Sequence, residues 1–144
     1  GTNSGYSLVP SLFGVRSLLT NWSPMAIPNW NIDDIVVPKK VWDRYRKRYC
    51  TAEEMMESVG GWSQWQRDFS FSRYKIVDSS PTELLRSTEE IHRQVFSSGG
   101  VKYSKSEREM IKNFRNIIEA HGGYNGSQIS VNFLLDNPEF LNRK

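Results

Sequence analysis

Apolar residues recur at helical spacing in two long stretches of this chain. Leu84, Thr88, Ile91 and Val95 repeat at i, i+4, i+7 and i+11, flanked by Leu85, His92 and Phe96. That spacing predicts a helix over residues 81–97 with the stripe turned toward a core and His92 on its margin. Ser80-Pro81-Thr82-Glu83 opens it as a capping box with proline in the first turn, and Ser98-Gly99-Gly100 ends it. A second helix is predicted over residues 105–120. Met110, Ile111, Phe114, Ile117 and Ile118 line one side of it, and Arg108, Lys112 and Arg115 the other. His121-Gly122-Gly123 closes it, with glycine free to take a positive φ.

A third helix is predicted over residues 39–49. Pro38 suits a first helical turn, and the run contains no glycine, no further proline and one β-branched residue, Val41. At about 100° per residue, Val41, Trp42, Tyr45 and Tyr49 share one face. Lys40, Arg44 and Lys47 gather on the opposite side, with Lys39 and Arg46 on one flank.

Shorter signals fill the remainder. Thr51-Ala52-Glu53-Glu54 is a capping box for a short helix through Met55, Met56 and Val59 that stops at Gly60-Gly61. Phe69-Ser70-Phe71-Ser72 alternates as a strand does, and the phase slips at Arg73 before Tyr74 and Ile76. After Asn125-Gly126, residues 127–135 alternate in favour of a strand. The same stretch also fits the second half of a helix-turn-helix, with Ser127, Gln128 and Asn132 facing bases. Asp136 and Glu139 argue against that second reading, because acids oppose a phosphate surface.

Residues 1–32 carry one charge, Arg16, and are interrupted by Pro10, Pro24, Pro28, Gly5 and Gly14. Only residues 11–21 read as a short helix, through Leu12, Val15, Leu18 and Leu19. An uncharged apolar arm is expected to wrap the domain or dock on a partner. The patterns together predict an α+β fold, predominantly helical, with four or five helices, a short β element and an extended N-terminal arm. The arm is residues 1–32 and a single α-rich globular domain covers 33–144.

Composition adds bounds rather than an identity. At 144 residues, 38% apolar and 12% aromatic, the chain fits one folded domain. No apolar run approaches membrane-spanning length, so no membrane partner is expected. Cys50 is the lone cysteine, which excludes an intrachain disulfide and reads as a small buried hydrophobe. It fits a reducing intracellular compartment. The first residue is Gly1 rather than methionine, which suggests an excised domain or a processed product.

Phosphate-cradling GxxxxGK, dinucleotide GxGxxG, HExxH and GxSxG patterns are all missing. His92 and His121 fall on different predicted helices, and Asp33-Asp34 reads as a turn or cap rather than a metal site. No enzyme, cofactor or metal is expected.

Charge is the positive signal, because net charge is only +3 while the cations cluster. Lys39, Lys40, Arg44, Lys47 and Arg48, with Arg108, Lys112 and Arg115, are the candidate phosphate contacts. Trp62 and Trp65, three apart, are candidates for stacking on bases. The leading expectation is a non-enzymatic nucleic-acid-contacting module, for RNA or a ribonucleoprotein rather than a specific DNA sequence. It requires the cations of residues 39–48 to form one outward strip. The alternative is a protein-protein interaction or assembly subunit of a larger complex or viral polyprotein, partnering or self-assembling through the arm. A further alternative is aromatic capture of a nucleotide or RNA cap.

Overall fold

The structure, a computed structural model, describes residues 9–23, 31–59, 73–98, 101–123 and 126–142. Among these residues it is a mixed α+β fold with two three-stranded sheets, and the expectation of a predominantly helical chain with one short β element is overturned. The first sheet is parallel, in the order β1 (Leu18–Trp22), β2 (Ile35–Pro38), β6 (Gln128–Ile129). All four residues of β2 are buried, as the unbroken apolar run Ile35-Val36-Val37-Pro38 requires of a central parallel strand. The second sheet is antiparallel, in the order β4 (Arg48–Tyr49), β3 (Lys40–Asp43), β5 (Tyr74–Val77). The chain passes from β2 to β3 across Lys39, whose N–H donates to the Trp22 carbonyl at 2.9 Å.

The helix predicted over residues 39–49 is therefore a β-hairpin. Lys40 and Trp42 are half-buried while Val41 and Asp43 are buried, the period of two proper to a strand. Asp43 makes the turn. Its carboxylate accepts from the backbone N–H of Tyr45 at 2.9 Å and of Arg46 at 3.1 Å. Arg73 closes over the same carboxylate at 2.9 Å, beside a backbone bond from Arg44 N–H to the Arg73 carbonyl. Lys47 completes the reversal at φ 52°.

Three helix starts carry full capping boxes: α2 (Ala52–Glu54) from Thr51, α3 (Pro81–Phe96) from Ser80, and α4 (Lys105–Ala120) from Ser104. α2 continues as a π-helical turn, Met55–Val59. Residues 11–21 do not form the short helix expected of them. Val9–Leu12 is one helical turn, α1, and β1 follows as part of the parallel sheet, with Leu19 and Trp22 buried. The tail holds both a strand and a helix: β6, then α5 (Val131–Asp136) capped by Ser130, then a 3-10 turn, Pro138–Phe140.

α3 packs on β1, β2 and α5, and α4 packs on α2, α5 and β6. The core between them is Trp22, Val36, Val37, Val41, Met55, Met56, Phe114, Ile117, Ile118, Ile129, Phe133, Leu134 and Phe140. Phe133 meets Phe140 edge-on at 5.1 Å between ring centres, a geometry that aromatic quadrupoles favour. α4 sits as its pattern predicts, with Phe114, Ile117 and Ile118 inward and Arg108, Lys112 and Arg115 exposed.

Candidate interaction surfaces

The outward strip expected of residues 39–48 does not form, because the hairpin hands its cations to carboxylates of the same chain. Lys39 lies 2.9 Å from Asp78. Lys40 is 2.6 Å from Glu83, with both side chains about nine-tenths buried, and it also donates to the Asn137 side-chain oxygen at 3.2 Å. Arg46 and Arg48 converge on Glu54, at 2.6 and 2.7 Å. That convergence, together with the Thr51 N–H, holds the Glu54 carboxyl down to about 2. Burial pushes the Glu83 carboxyl up, but Lys40, the Ser80 N–H and Asn137 outweigh it and bring it down to about 2. At Asp43 burial likewise pushes up, while Arg73 and the two turn N–H groups hold the carboxyl below its ordinary value. Arg44 and Lys47 remain exposed at the hairpin tip. Trp62 and Trp65 lie outside the described residues.

On α4 the predicted cations Arg108, Lys112 and Arg115 are differently placed. Together with Lys105, which the pattern does not single out, they are exposed at spacings of three, four and three, within an arc of about 80°. Among the described residues none of the four has a carboxylate at ion-pair distance. Glu119 ends the stripe and Glu109 borders it, diluting its field.

α3 departs furthest from its sequence pattern. Its buried residues are Glu83, Ser87 and Glu90, all polar, and the expected apolar stripe is turned outward or left at the margin. Leu85 is 59% exposed, Val95 48% and Phe96 73%. His92 is exposed, its ring 4.7 Å from that of Phe96. The inversion has a direct cause in the groups that face α3. Glu90 is fully buried and accepts from Ser130 Oγ at 2.7 Å, Tyr103 Oη at 2.8 Å, and the N–H groups of Val131 and Asn132 at 3.1 Å each. Its carboxylate thereby fills the positive N-terminus of α5. Ser87 bonds Ser130, and Glu83 takes Lys40 and Asn137.

The same network removes the base-reading alternative for the tail. Ser127 is buried and donates to the Asn31 carbonyl, Gln128 donates to Tyr103 Oη, and Asn132 donates to the Arg86 carbonyl. Burial and the neighbouring Glu90 carboxylate push the Tyr103 hydroxyl up.

The arm abuts the C-terminal end of α3. Arg16 donates to the Gln94 carbonyl at 3.4 Å and lies 3.4 Å from Asp33. Asp33 and Asp34 lie at a turn, with Asp34 N–H donating to the Asn31 carbonyl at 3.2 Å, and the fully buried Asp34 carboxylate accepts from Ser17 N–H, Ser11 Oγ and Asn31 Nδ2. Beyond that anchor Leu12 is 81% exposed, Phe13 79% and Ile32 73%. Exposed apolar side chains thus lie both on the arm and on α3, and on α3 a depression of about 650 Å3 is lined by Arg86, Thr88, Glu89, His92, Arg93 and Asn132.

Cys50 is buried in the core, and burial pushes its thiol up to about 11, which fits a packing role. No helix among the described residues is long and apolar enough to cross a membrane. No family model matches the chain, and neither curated proteins nor solved structures give a match.

Proposed function

We propose that this chain is a non-enzymatic assembly module that pairs with a second copy of itself through the outward face of α3 and the adjoining arm. The observation that supports this reading is the inverted polarity of α3, which buries carboxylates and leaves Leu85, Val95 and Phe96 in water. Leu85, Glu89, His92 and Phe96 follow one another at spacings of four, three and four, within about 60° of the helix surface. That stripe is self-complementary. Two antiparallel copies related by a twofold axis oppose Leu85 to Phe96 and Glu89 to His92, so that apolar meets apolar and carboxylate meets imidazole. A 16-residue helix offers only about 24 Å by 10 Å, roughly 240 Å2 per copy, against about 800 Å2 per partner in a standard interface. Leu12, Phe13, Val15 and Ile32 must therefore be covered as well.

Sedimentation velocity over a concentration series tests the reading. The wild type should dimerise, and Leu85→Asp or Phe96→Asp should each weaken dimerisation at least about tenfold, without lowering the melting temperature measured at concentrations where the wild type is monomeric. A chain that stays monomeric up to about 1 mM, or a dimer indifferent to both substitutions, would refute it.

A second reading, contact with RNA or a ribonucleoprotein, is supported by the exposed stripe Lys105, Arg108, Lys112 and Arg115, which has no ion pair among the described residues. Four phosphate contacts correspond to a log-affinity against log-salt slope of about −3 on single strands. Charge reversal at Arg108 and Lys112 should flatten that slope by about half. Absent or salt-insensitive binding to RNA and DNA alike would remove this reading.

A further inference from the structure

We infer that Glu53, Glu57 and His121 form a binding site for a divalent transition-metal ion, with Zn2+ the ion that their donors suit best. One ligand atom from each of the three side chains lies within 4.8 Å of the others. His121 Nε2 and Glu57 Oε1 are 3.7 Å apart. Zinc bonds to nitrogen and oxygen are about 2.0–2.2 Å, which sets neighbouring tetrahedral donors about 3.3 Å apart. The His121–Glu57 pair thus needs to close by about half an ångström, a small swing for a glutamate whose side chain is 60% exposed.

Each donor is held by local structure that the sequence specifies. Glu53 and Glu57 are four apart in the helical stretch that Thr51 caps, so they share a face. Glu53 keeps a further interaction of its own. His121 is the C-cap of α4, fixed by the turn that follows. Gly122 takes φ +72°, Gly123 N–H donates to the Ile118 carbonyl at 2.9 Å, and Gly122 N–H donates to the Glu119 carbonyl at 3.0 Å. His121 Nδ1 sits 2.9 Å from the Ile117 carbonyl. A carbonyl can only accept, so Nδ1 carries the hydrogen, and the neutral ring's lone pair is on Nε2, the atom turned to Glu57. A ring nitrogen tied to a backbone carbonyl is the arrangement that orients metal-bound histidines. The negative end of the α4 dipole adds its attraction for a cation at the same point.

One imidazole and two carboxylates neutralise a divalent charge and leave coordination positions for water. The nitrogen donor selects against calcium and magnesium, which take oxygen. A bound ion would tie the 52–59 segment to the end of α4. The competing account is a protonated His121 paired with Glu57 alone, which needs neither Glu53 nor a metal.

Calorimetric titration of chelator-stripped protein with zinc chloride separates the two. One ion per chain should bind. Glu57→Gln and Glu53→Gln should each weaken binding about tenfold or more, and His121→Ala about a hundredfold. His92→Ala should bind as the wild type does. Because His121→Ala also removes a helix cap, the glutamine variants carry a second readout. At the same zinc concentration, zinc should raise the melting temperature of the wild type clearly more than that of Glu57→Gln. No saturable heat from the wild type, or equal binding by Glu57→Gln and the wild type, overturns the site.

Discussion

Lys40→Met is the substitution that most sharply separates an architectural cation from a phosphate-binding one. In the sequence Lys40 is one of a run of cations on an apparently open face, and in the structure it is about nine-tenths buried against Glu83. Glu83 holds its carboxyl at about 2 against an ordinary 4.5, so its ionisation contributes on the order of 3 kcal/mol to folding at neutral pH. Lys40 shares that contribution with the Ser80 N–H and Asn137. Methionine fills the stem but strands the carboxylate, so the loss assigned to Lys40 is about 2 kcal/mol, or roughly 5–8 °C in a chain of this size. The sign with pH follows from the depressed value. The folded state keeps Glu83 ionised down to about pH 2, whereas the unfolded chain takes up the proton near 4.5. The stabilisation is therefore whole above about pH 5 and is lost as pH falls from about 4.5 to about 2. Melting followed by circular dichroism at pH 7, 5, 3 and 2 should show the deficit of the variant shrinking across that window. Lys40→Met/Glu83→Gln should recover more than half of it at pH 7, since glutamine still serves the capping box. RNA anisotropy should be unchanged. A variant melting within about 1 °C of the wild type at pH 7, or a deficit indifferent to acid, would refute the argument.

Two further outcomes are expected of the hairpin and the core. Asp43→Ala removes the acceptor for the Tyr45 and Arg46 N–H groups and the partner of Arg73, and should cost about 2–4 kcal/mol in urea denaturation. An effect below about 1 kcal/mol would mean that the turn holds without it. Cys50, buried with its thiol at about 11, should resist iodoacetamide at pH 8 in the folded chain and react fully in guanidinium; equal rates would contradict its burial.

What the sequence made legible was what is local. The capping boxes at Thr51 and Ser80, the inward face of α4 and the glycine turn after His121 all depend on groups within a few residues of one another. Ser104-Lys105-Ser106-Glu107 carries the same capping pattern and could have been found by it. The misreadings share a different origin. Residues 39–49 satisfy a helical arc and a strand alternation equally well. The choice is made by Arg73 and β5, thirty residues further on, closing over Asp43. The candidate site divides the same way. The exposure of Arg108, Lys112 and Arg115 could be read from their own helix, whereas the pairing of Lys40 with Glu83 lies beyond any local window.

Why α3 does not simply roll over and bury its apolar edge is a question of magnitudes. Turning Leu85, Val95 and Phe96 inward would gain about 2 kcal/mol each, some 6 kcal/mol in all. Glu83, Ser87 and Glu90 would find water on the outside, but the groups they now satisfy would not. Lys40 would be left as a buried unpaired cation, at about 3–5 kcal/mol. The N–H groups of Val131 and Asn132, with the Ser130 hydroxyl, would lose their acceptor at about 1–3 kcal/mol each. Those penalties match or exceed the gain, so the orientation of α3 is set by what β3 and α5 present to it rather than by its own hydrophobicity. An apolar edge held outward in this way can lower its free energy only by meeting another surface. On that ground Leu85 and Phe96 should cost little folding stability when made polar, while an equivalent change at Ser87, inside the network, should unfold the chain.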